Sequence, residues 1–192
     1  MTMGVDLPKI TSVVEGHGEV DALPVLLRRL TSNFSILVRK PHRIKRTEFT
    51  GRDGANAVRM QREAAGELGM VIVLLDLDDD DSDELRKRVI DNVGEDRVSV
   101  VLATKEFEAW FLAGVESLRS HSDVRDDATY DGDCESVRNA KGRLEGLMKC
   151  SYKETLHQAK FAACLDLELA RKNSPSFESF CSSVEKWLET LG

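Results

Sequence analysis

Two short apolar runs that each end in a carboxylate constrain the fold of this chain most strongly. Residues 10–14 are followed by Glu15, and residues 71–75 are followed by Asp76 and Asp78. Runs this apolar are typical of central strands in a parallel sheet. Because the carboxyl ends of parallel strands meet at one edge of the sheet, the three carboxylates should lie together. Carboxylate oxygens are ligands for Mg²⁺, so metal-dependent phosphate chemistry is the first hypothesis.

The rest of the chain alternates strand-like and helix-like patterns. This alternation predicts an α/β fold with a small, largely parallel sheet flanked by helices, followed by a helical C-terminal tail. We expect an α/β core over residues 1–119 and a helical extension over 120–192 that packs on the core, joined by a surface loop at 120–133. The predicted strands cover residues 10–14, 35–44, 71–75 and 98–103, and the predicted helices cover 19–30, 52–68, 82–92, 106–113, 134–147, 155–170 and 177–191.

The charge is acidic overall but unevenly distributed. The 192 residues carry a net charge of −7, so the molecule as a whole is not a basic nucleic-acid coat. Residues 28–62 differ, with ten Lys or Arg residues against only Glu48 and Asp53. A local basic patch decides contacts with phosphates more than net charge does. We therefore expect a nucleic-acid-binding surface made by Arg39, Lys40, Arg43, Lys45, Arg46, Arg52 and Lys153.

Cysteine spacing and hydropathy indicate the compartment. The four cysteines are far apart and no pair has the close spacing of a zinc-ligand set, so we interpret them as structural thiols. Residues 1–8 include Asp6 and lack the apolar segment of a signal peptide. No run approaches the ~20 apolar residues of a membrane span. These features predict a cytoplasmic protein without a membrane contact.

Asp76 is the strongest candidate for a metal ligand, because it directly follows five apolar residues and should be partly buried. A desolvated carboxylate without a partner is costly, and Asp78 shares its face of the strand. The alternative is a solvated loop over residues 78–83, with Asp81 or Ser82 capping the next helix. We expect that alternative to hold for Asp79, Asp81 and Asp83.

A second carboxylate motif surrounds the first strand end. Glu15 and Glu19 flank the segment Gly16-His17-Gly18. Glycines there would let backbone N–H groups approach a phosphate at the start of the following helix. For Glu19 we favour a simpler role, stabilisation of the helix dipole in the first turn. We expect His17 to be a loop residue.

The apolar segment 106–113 contains two further glutamates, Glu106 and Glu108. They lie about 200° apart around a helix, so both cannot face the strand ends. We choose Glu108, because it borders the apolar face, where a carboxylate needs a partner. A structural Arg or Lys partner remains the alternative. Glu108 or Asp80 would complete a second metal site.

The order of Glu-Gly after the first strand and Asp-x-Asp after the third resembles the Toprim fold. Topoisomerases, primases, small ribosomal-RNA maturases and overcoming-lysogenization-defect nucleases share that fold. In those proteins the residues that match Glu15, Asp76 and Asp78 bind a divalent metal or act as acid and base at a phosphodiester. The wider pattern resembles a Toprim-like bacterial family of unknown function, catalogued as number 4276, through Tyr152-Lys153 and residues 14–19, 106–113, 166–171 and 174–177.

The resemblance implies a nuclease or other phosphodiesterase that depends on Mg²⁺ or Mn²⁺, with Glu15 as a water-mediated ligand or general base. It also implies a role beside an ATPase in defence against mobile elements. Two other classes remain open: a non-catalytic subunit that binds nucleic acid or docks on an ATPase, and an enzyme that acts on nucleotides. Cleavage of a polymer in Mg²⁺ or Mn²⁺ would separate the nuclease from the non-catalytic subunit.

Overall fold

The computed structural model describes residues 7–192, so most of the segment expected to lack a signal peptide lies outside the described residues. No helix within this range is long and apolar enough to cross a membrane. The strands and α-helices, numbered in chain order, are β1 Lys9–Val14, α1 Glu19–Leu30, β2 Leu37–Val38, β3 His42–Arg43, α2 Arg52–Ala65, β4 Met70–Asp76, α3 Ser82–Val93, β5 Val98–Ala103, α4 Glu108–Ala113, α5 Ala140–Gly146, α6 Glu154–Cys164, α7 Leu167–Asn173 and α8 Pro175–Glu189.

The five strands of the described chain form one parallel sheet, which confirms the predicted α/β fold. Strands β1 and β4 form its centre, β5 lies beyond β4, and both β2 and β3 pair with β1. Val14 pairs with Leu74, and Asp76 pairs with Ala103, so the three longer strands end together. The segments that follow β1, β4 and β5 therefore start at the same edge of the sheet.

Helices cover both faces of the sheet, because the side chains of a strand alternate between its two sides. Ile72 and Leu74 pack on the side of α1, α4 and the C-terminal helices. Val71 and Val73 pack on the other side, against α2 and α3. The first of these cores continues without a break from the sheet into α6, α7 and α8.

Two predicted elements are interrupted for identifiable local reasons. The strand predicted over 35–44 is split at Pro41, which has no N–H to donate within a sheet. The helix predicted over 155–170 is broken because Asp166 starts a new helix. Its carboxylate caps α7 by accepting a hydrogen bond from the backbone N–H of Leu169 at 3.0 Å.

The segment between α4 and α5 also differs from its prediction. The helix predicted over 134–147 begins only at Ala140, after its cap Asn139. The loop predicted at the surface over 120–133 contributes to the core, because Val124 and Ala128 are buried. Val124 forms an isolated antiparallel bridge with Met148, which ties this loop to the chain before α6.

Trp110 should be a principal contact between α4, which packs on the sheet, and α8. Its buried ring lies 5.2 Å from the ring centroids of both Phe177 and Phe180, and its Nε1 donates a hydrogen bond to Ser176 Oγ at 2.8 Å. Trp110→Ala should lower the free energy of unfolding by about 3–5 kcal/mol in urea denaturation followed by circular dichroism. The exposed control Met60→Ala should change it by less than about 0.5 kcal/mol, and a similarly small loss for Trp110→Ala would contradict this role.

Candidate functional site

A cleft of about 290 Å³ opens at the carboxyl edge of the sheet. Five carboxylates line it. Four are clustered and each comes from a different element: Glu15 follows β1, Glu19 belongs to α1, Asp76 ends β4 and Glu108 starts α4, whereas the fifth, Glu154 of α6, pairs with Lys141. The structure thus brings Glu15, Asp76 and Glu108 to one place, whereas Asp78, which the strand pattern predicts beside Glu15 and Asp76, lies outside the lining. The cleft is also lined by Gly16, His17, Arg43, Lys45, Arg46, Glu154 and Gln158.

Glu19 is buried in the first turn of α1, with only 3% of its surface exposed. Its carboxylate turns back and accepts a hydrogen bond from the N–H of Gly16 at 3.2 Å. A Cβ at Gly16 would clash with this carboxylate, and a Cβ at Gly18 would clash with Gln158 of α6. These glycines therefore permit close approach of two side chains. The helix-dipole role predicted for Glu19 explains its position but not its burial.

Asp76 is fixed by the start of the following helical segment. Its Oδ1 accepts a hydrogen bond from the backbone N–H of Phe107 at 2.8 Å. The Phe107 ring is buried and contacts Trp110 and Phe111, with ring centroids 4.9 and 5.4 Å apart. Aromatic contacts on α4 therefore hold the N–H group that orients Asp76.

Glu108 is held from the opposite side by the C-terminal region. Its Oε1 accepts hydrogen bonds from the Tyr152 hydroxyl at 3.0 Å and from Gln158 Nε2 at 3.1 Å. Burial raises the pKa of Tyr152, so its phenol stays protonated and remains a donor. Glu106 turns elsewhere and accepts a hydrogen bond from the N–H of Lys141 at 2.9 Å. Glu108 therefore lines the cleft, and Glu106 does not.

Burial raises the pKa of the four clustered carboxyl groups, Glu15, Glu19, Asp76 and Glu108. For Glu15, burial outweighs the opposing effect of the Arg46 guanidinium. Burial and the nearby Glu15 and Glu108 carboxylates raise the pKa of Glu19 to about 8. Burial, with repulsion from the other three, raises the pKa of Asp76 well above its usual value. A divalent cation would relieve this crowding of negative charge.

Arg46 connects the cleft to the rest of the acidic segment after β4. Its Nη1 donates to Glu15 Oε2 at 3.2 Å and lies 3.5 Å from Asp78 Oδ2, while Nη2 donates to Asp80 Oδ2 at 2.6 Å. Nη1 also donates to the backbone oxygen of Asp76. The Asp78 side chain is 55% exposed and lies outside the cleft lining. Three predicted metal ligands, Glu15, Asp78 and Asp80, thus face a guanidinium that the sequence predicts to bind phosphate.

Two other predicted nucleic-acid contacts, Arg43 and Lys45, line the cleft. Arg43 ends β3 and pairs with Val14, the residue before Glu15. Its Nε is buried and has no hydrogen-bond partner within residues 7–192. A buried guanidinium nitrogen without a partner is suited to an anionic ligand.

The remaining predicted basic contacts lie outside the cleft lining. Arg39 and Lys40 are exposed and flank a different hollow beside β2. The backbone N–H of Arg39 donates to Ile10 at the start of β1, about four residues or ~13 Å along the strand from the cleft end. Arg52 begins α2, and Lys153 directly precedes α6.

The carboxylates of the cleft are close but do not form a compact ligand set. Within the described range, the group of three metal-type donors that all lie within 4.8 Å of one another is Asp123, Cys150 and His157. To bind one ion in common, the cleft carboxylates would have to move closer to one another. Sequence reasoning missed Glu19, although its spacing of four residues from Glu15 across Gly-His-Gly was a usable signal. The sequence contains no pattern that predicts Gln158 in the cleft.

The site lies within a segment that known proteins share. Residues 14–185 match the model of a family described as a domain of unknown function, DUF4276. The chain belongs to the DUF4276 family. This membership confirms the resemblance to the family catalogued as number 4276, whose description names no fold or activity. No curated protein and no solved structure matches the chain.

The stability of this DUF4276 protein without metal should fall as the pH rises. Between the usual pKa of 4.5 and the raised value of about 8, Glu19 is ionised in the unfolded chain and protonated in the folded one. The stabilisation present below pH 4.5 is therefore lost as the pH rises through the folded pKa of about 8. In the wild type, the melting temperature measured with chelator present should fall between pH 5 and 8, a range of ~3 pH units. Glu19→Gln should make this fall smaller.

The matched control is Glu189→Gln, an exposed glutamate at the end of α8. It should keep the wild-type slope of melting temperature against pH. Mg²⁺ added at the upper end of the range should restore melting temperature in the wild type more than in Glu19→Gln. Identical slopes for wild type and Glu19→Gln would show that the burial of Glu19 does not govern the pH dependence.

Proposed function

We propose that this protein is a Toprim-like phosphodiesterase that cleaves nucleic acid and depends on Mg²⁺ or Mn²⁺. The observation that carries the proposal is the cluster of four carboxylates with raised pKa values in one cleft, of which Glu19 and Glu108 are buried and Glu15 and Asp76 are partly buried. Crowded, desolvated carboxylates lower the stability of the fold, so stability does not account for them. Perturbed pKa values of this kind cluster at functional sites. The basic rim of the same cleft supports a phosphate-containing substrate.

The chemistry of the donors fits a hard divalent cation. The four clustered side chains, Glu15, Glu19, Asp76 and Glu108, offer carboxylate oxygens, which Mg²⁺ and Mn²⁺ prefer over sulfur or imidazole. Asp76, Glu19 and Glu108 would hold the ion, with Glu15 as a further ligand or through water. The bound metal would neutralise charge on a phosphodiester oxygen and lower the pKa of a bound water. Asp78 and Asp80 would bind the ion only if their ion pairs with Arg46 were broken.

The other side chains of the cleft have separate roles in this proposal. Arg43 and Lys45 hold a substrate phosphate, and the unpartnered Nε of Arg43 is a ready donor. Glu15 is the least buried of the four clustered carboxylates. It acts as the general base and accepts the proton from the attacking water. Tyr152 and Gln158 keep Glu108 oriented by their hydrogen bonds to its Oε1.

The second candidate is a non-catalytic Toprim-like subunit that binds nucleic acid or docks on an ATPase. The ion pairs of Arg46 favour it, because one guanidinium already occupies Glu15, Asp78 and Asp80. The family resemblance supports an ATPase partner and a role in defence under either candidate. The free thiols of the described chain suit the proposed cytoplasmic location.

Cleavage should depend on the buried cluster. Purified protein should cut DNA or RNA polymers in Mg²⁺ or Mn²⁺ and stop when the metal is chelated. Asp76→Asn should reduce the cleavage rate at least about 100-fold, since even outer-shell changes at metal sites cost about 10–100-fold. Its Oδ1 can still accept the hydrogen bond from Phe107, so circular dichroism should show an intact fold.

The matched control is Asp91→Asn in α3, whose exposed carboxylate pairs with Lys87. It should retain the wild-type rate. Cleavage that survives Asp76→Asn would rule out the cluster as the catalytic centre. Binding of polymer by the wild type without any metal-dependent cleavage would instead select the non-catalytic candidate.

Nucleic-acid affinity should depend on the basic residues of the cleft. The double variant Arg43→Glu with Lys45→Glu should weaken binding to a labelled oligonucleotide and lower the slope of log affinity against log salt by about 2. The double variant Arg39→Glu with Lys40→Glu makes the same charge change outside the cleft, beside the start of β1. Equal losses in both double variants would mean that overall charge, rather than the cleft, governs binding.

A further inference from the structure

We propose that Asp123, Cys150 and His157 form a second metal site that binds a transition metal of the zinc class. One ligand atom from each residue lies within 4.8 Å of the other two. None of the three lines the carboxylate cleft, so the inference does not rest on the proposed function. The cysteines are not closely spaced in sequence, and the site instead combines one thiol with ligands from two other segments.

The arrangement of donors around His157 indicates chelation. Its Nε2 lies 3.5 Å from Asp123 Oδ2 and 3.8 Å from Cys150 Sγ. A Cys-His-Asp catalytic triad needs its thiol and its carboxylate on opposite ring nitrogens. Here both face the same nitrogen, as ligands do around a common ion. A thiolate and an imidazole beside a carboxylate favour zinc-class metals over Mg²⁺.

The surroundings of His157 fit a metal ligand as well. The side chain is only 1% exposed, and the Tyr152 ring stacks on it with centroids 5.6 Å apart. Its Nδ1 accepts a hydrogen bond from the backbone N–H of Lys153 at 2.9 Å and lies 3.1 Å from the backbone oxygen of the same residue. Metal binding at Nε2 would move the ring proton to Nδ1, which would then exchange its acceptor role toward that N–H for donation to the carbonyl, the arrangement common in metal-binding histidines.

The backbone holds the other two ligands in place without burying them. The bridge between Val124 and Met148 joins the two loops, and the N–H of Lys149 donates to the backbone oxygen of Asp123 at 2.7 Å. Cys150 is exposed, and the Asp123 side chain is 34% exposed. An ion can therefore enter from solvent. On binding, the Cys150 thiol releases its proton to solvent and ligates as the thiolate.

The site lies directly behind one wall of the carboxylate cleft. Tyr152 stacks on His157 and donates its hydroxyl proton to Glu108. Gln158 follows His157 in α6 and donates to the same Glu108 oxygen. An ion bound at His157 would fix the first turn of α6 and both donors that orient Glu108.

Cobalt binding tests this site separately from the cleft. Co²⁺ added to the reduced full-length protein should produce a sulfur-to-cobalt charge-transfer absorption that saturates at about one equivalent and is displaced by Zn²⁺. Cys150→Ser should abolish the absorption, while Cys164→Ser, a partly exposed cysteine at the end of α6, should retain it. Asp123→Asn should weaken Co²⁺ affinity at least about tenfold.

The variant Asp76→Asn separates the two proposals, because it should lose cleavage yet keep the full absorption. No charge-transfer absorption in the wild-type protein would overturn the second site, and this result needs no variant to fold. An absorption that persists in Cys150→Ser would also overturn it. Cys150 is exposed, so its replacement by serine should leave the circular dichroism spectrum unchanged.

Discussion

Mutual repulsion among buried carboxylates is the constraint on which the site of this protein depends. Glu15, Glu19, Asp76 and Glu108 reach one cleft from four elements, and burial raises the pKa of each. Such crowding destabilises a fold unless protons or a cation compensate for it. In the function proposed here, a divalent ion would offset this destabilisation of the metal-free protein.

The fold builds this cluster with contacts from both halves of the chain. Parallel strands bring Glu15 and Asp76 to one edge, and the aromatic side chains of α4 fix the N–H group that holds Asp76. The C-terminal region then supplies Tyr152 and Gln158, which hold Glu108. The helices predicted as a tail are thus part of the site, and the continuous core from β4 to α8 explains how they stay in position.

The sequence predicted what depends on local pattern and missed what depends on packing between distant segments. Apolar runs identified the parallel strands, and so predicted that Glu15 and Asp76 would meet. The carboxylate partners of Arg46 could not be predicted, because they depend on where the chain leaves the sheet after β3. The sequence predicts only a helix-dipole role for Glu19. Its burial depends on the approach of α6 to α1, which the sequence does not reveal.

The central claim is that the buried cluster binds a divalent cation. Anomalous diffraction from crystals grown in Mn²⁺ tests it most directly, because manganese is located independently of any assumed chemistry. The account predicts a peak bonded to Asp76 and to at least one of Glu19 and Glu108, with Mn–O distances near ~2.1 Å, as for Mg²⁺. Ordered density for these side chains with no manganese peak among them would contradict it.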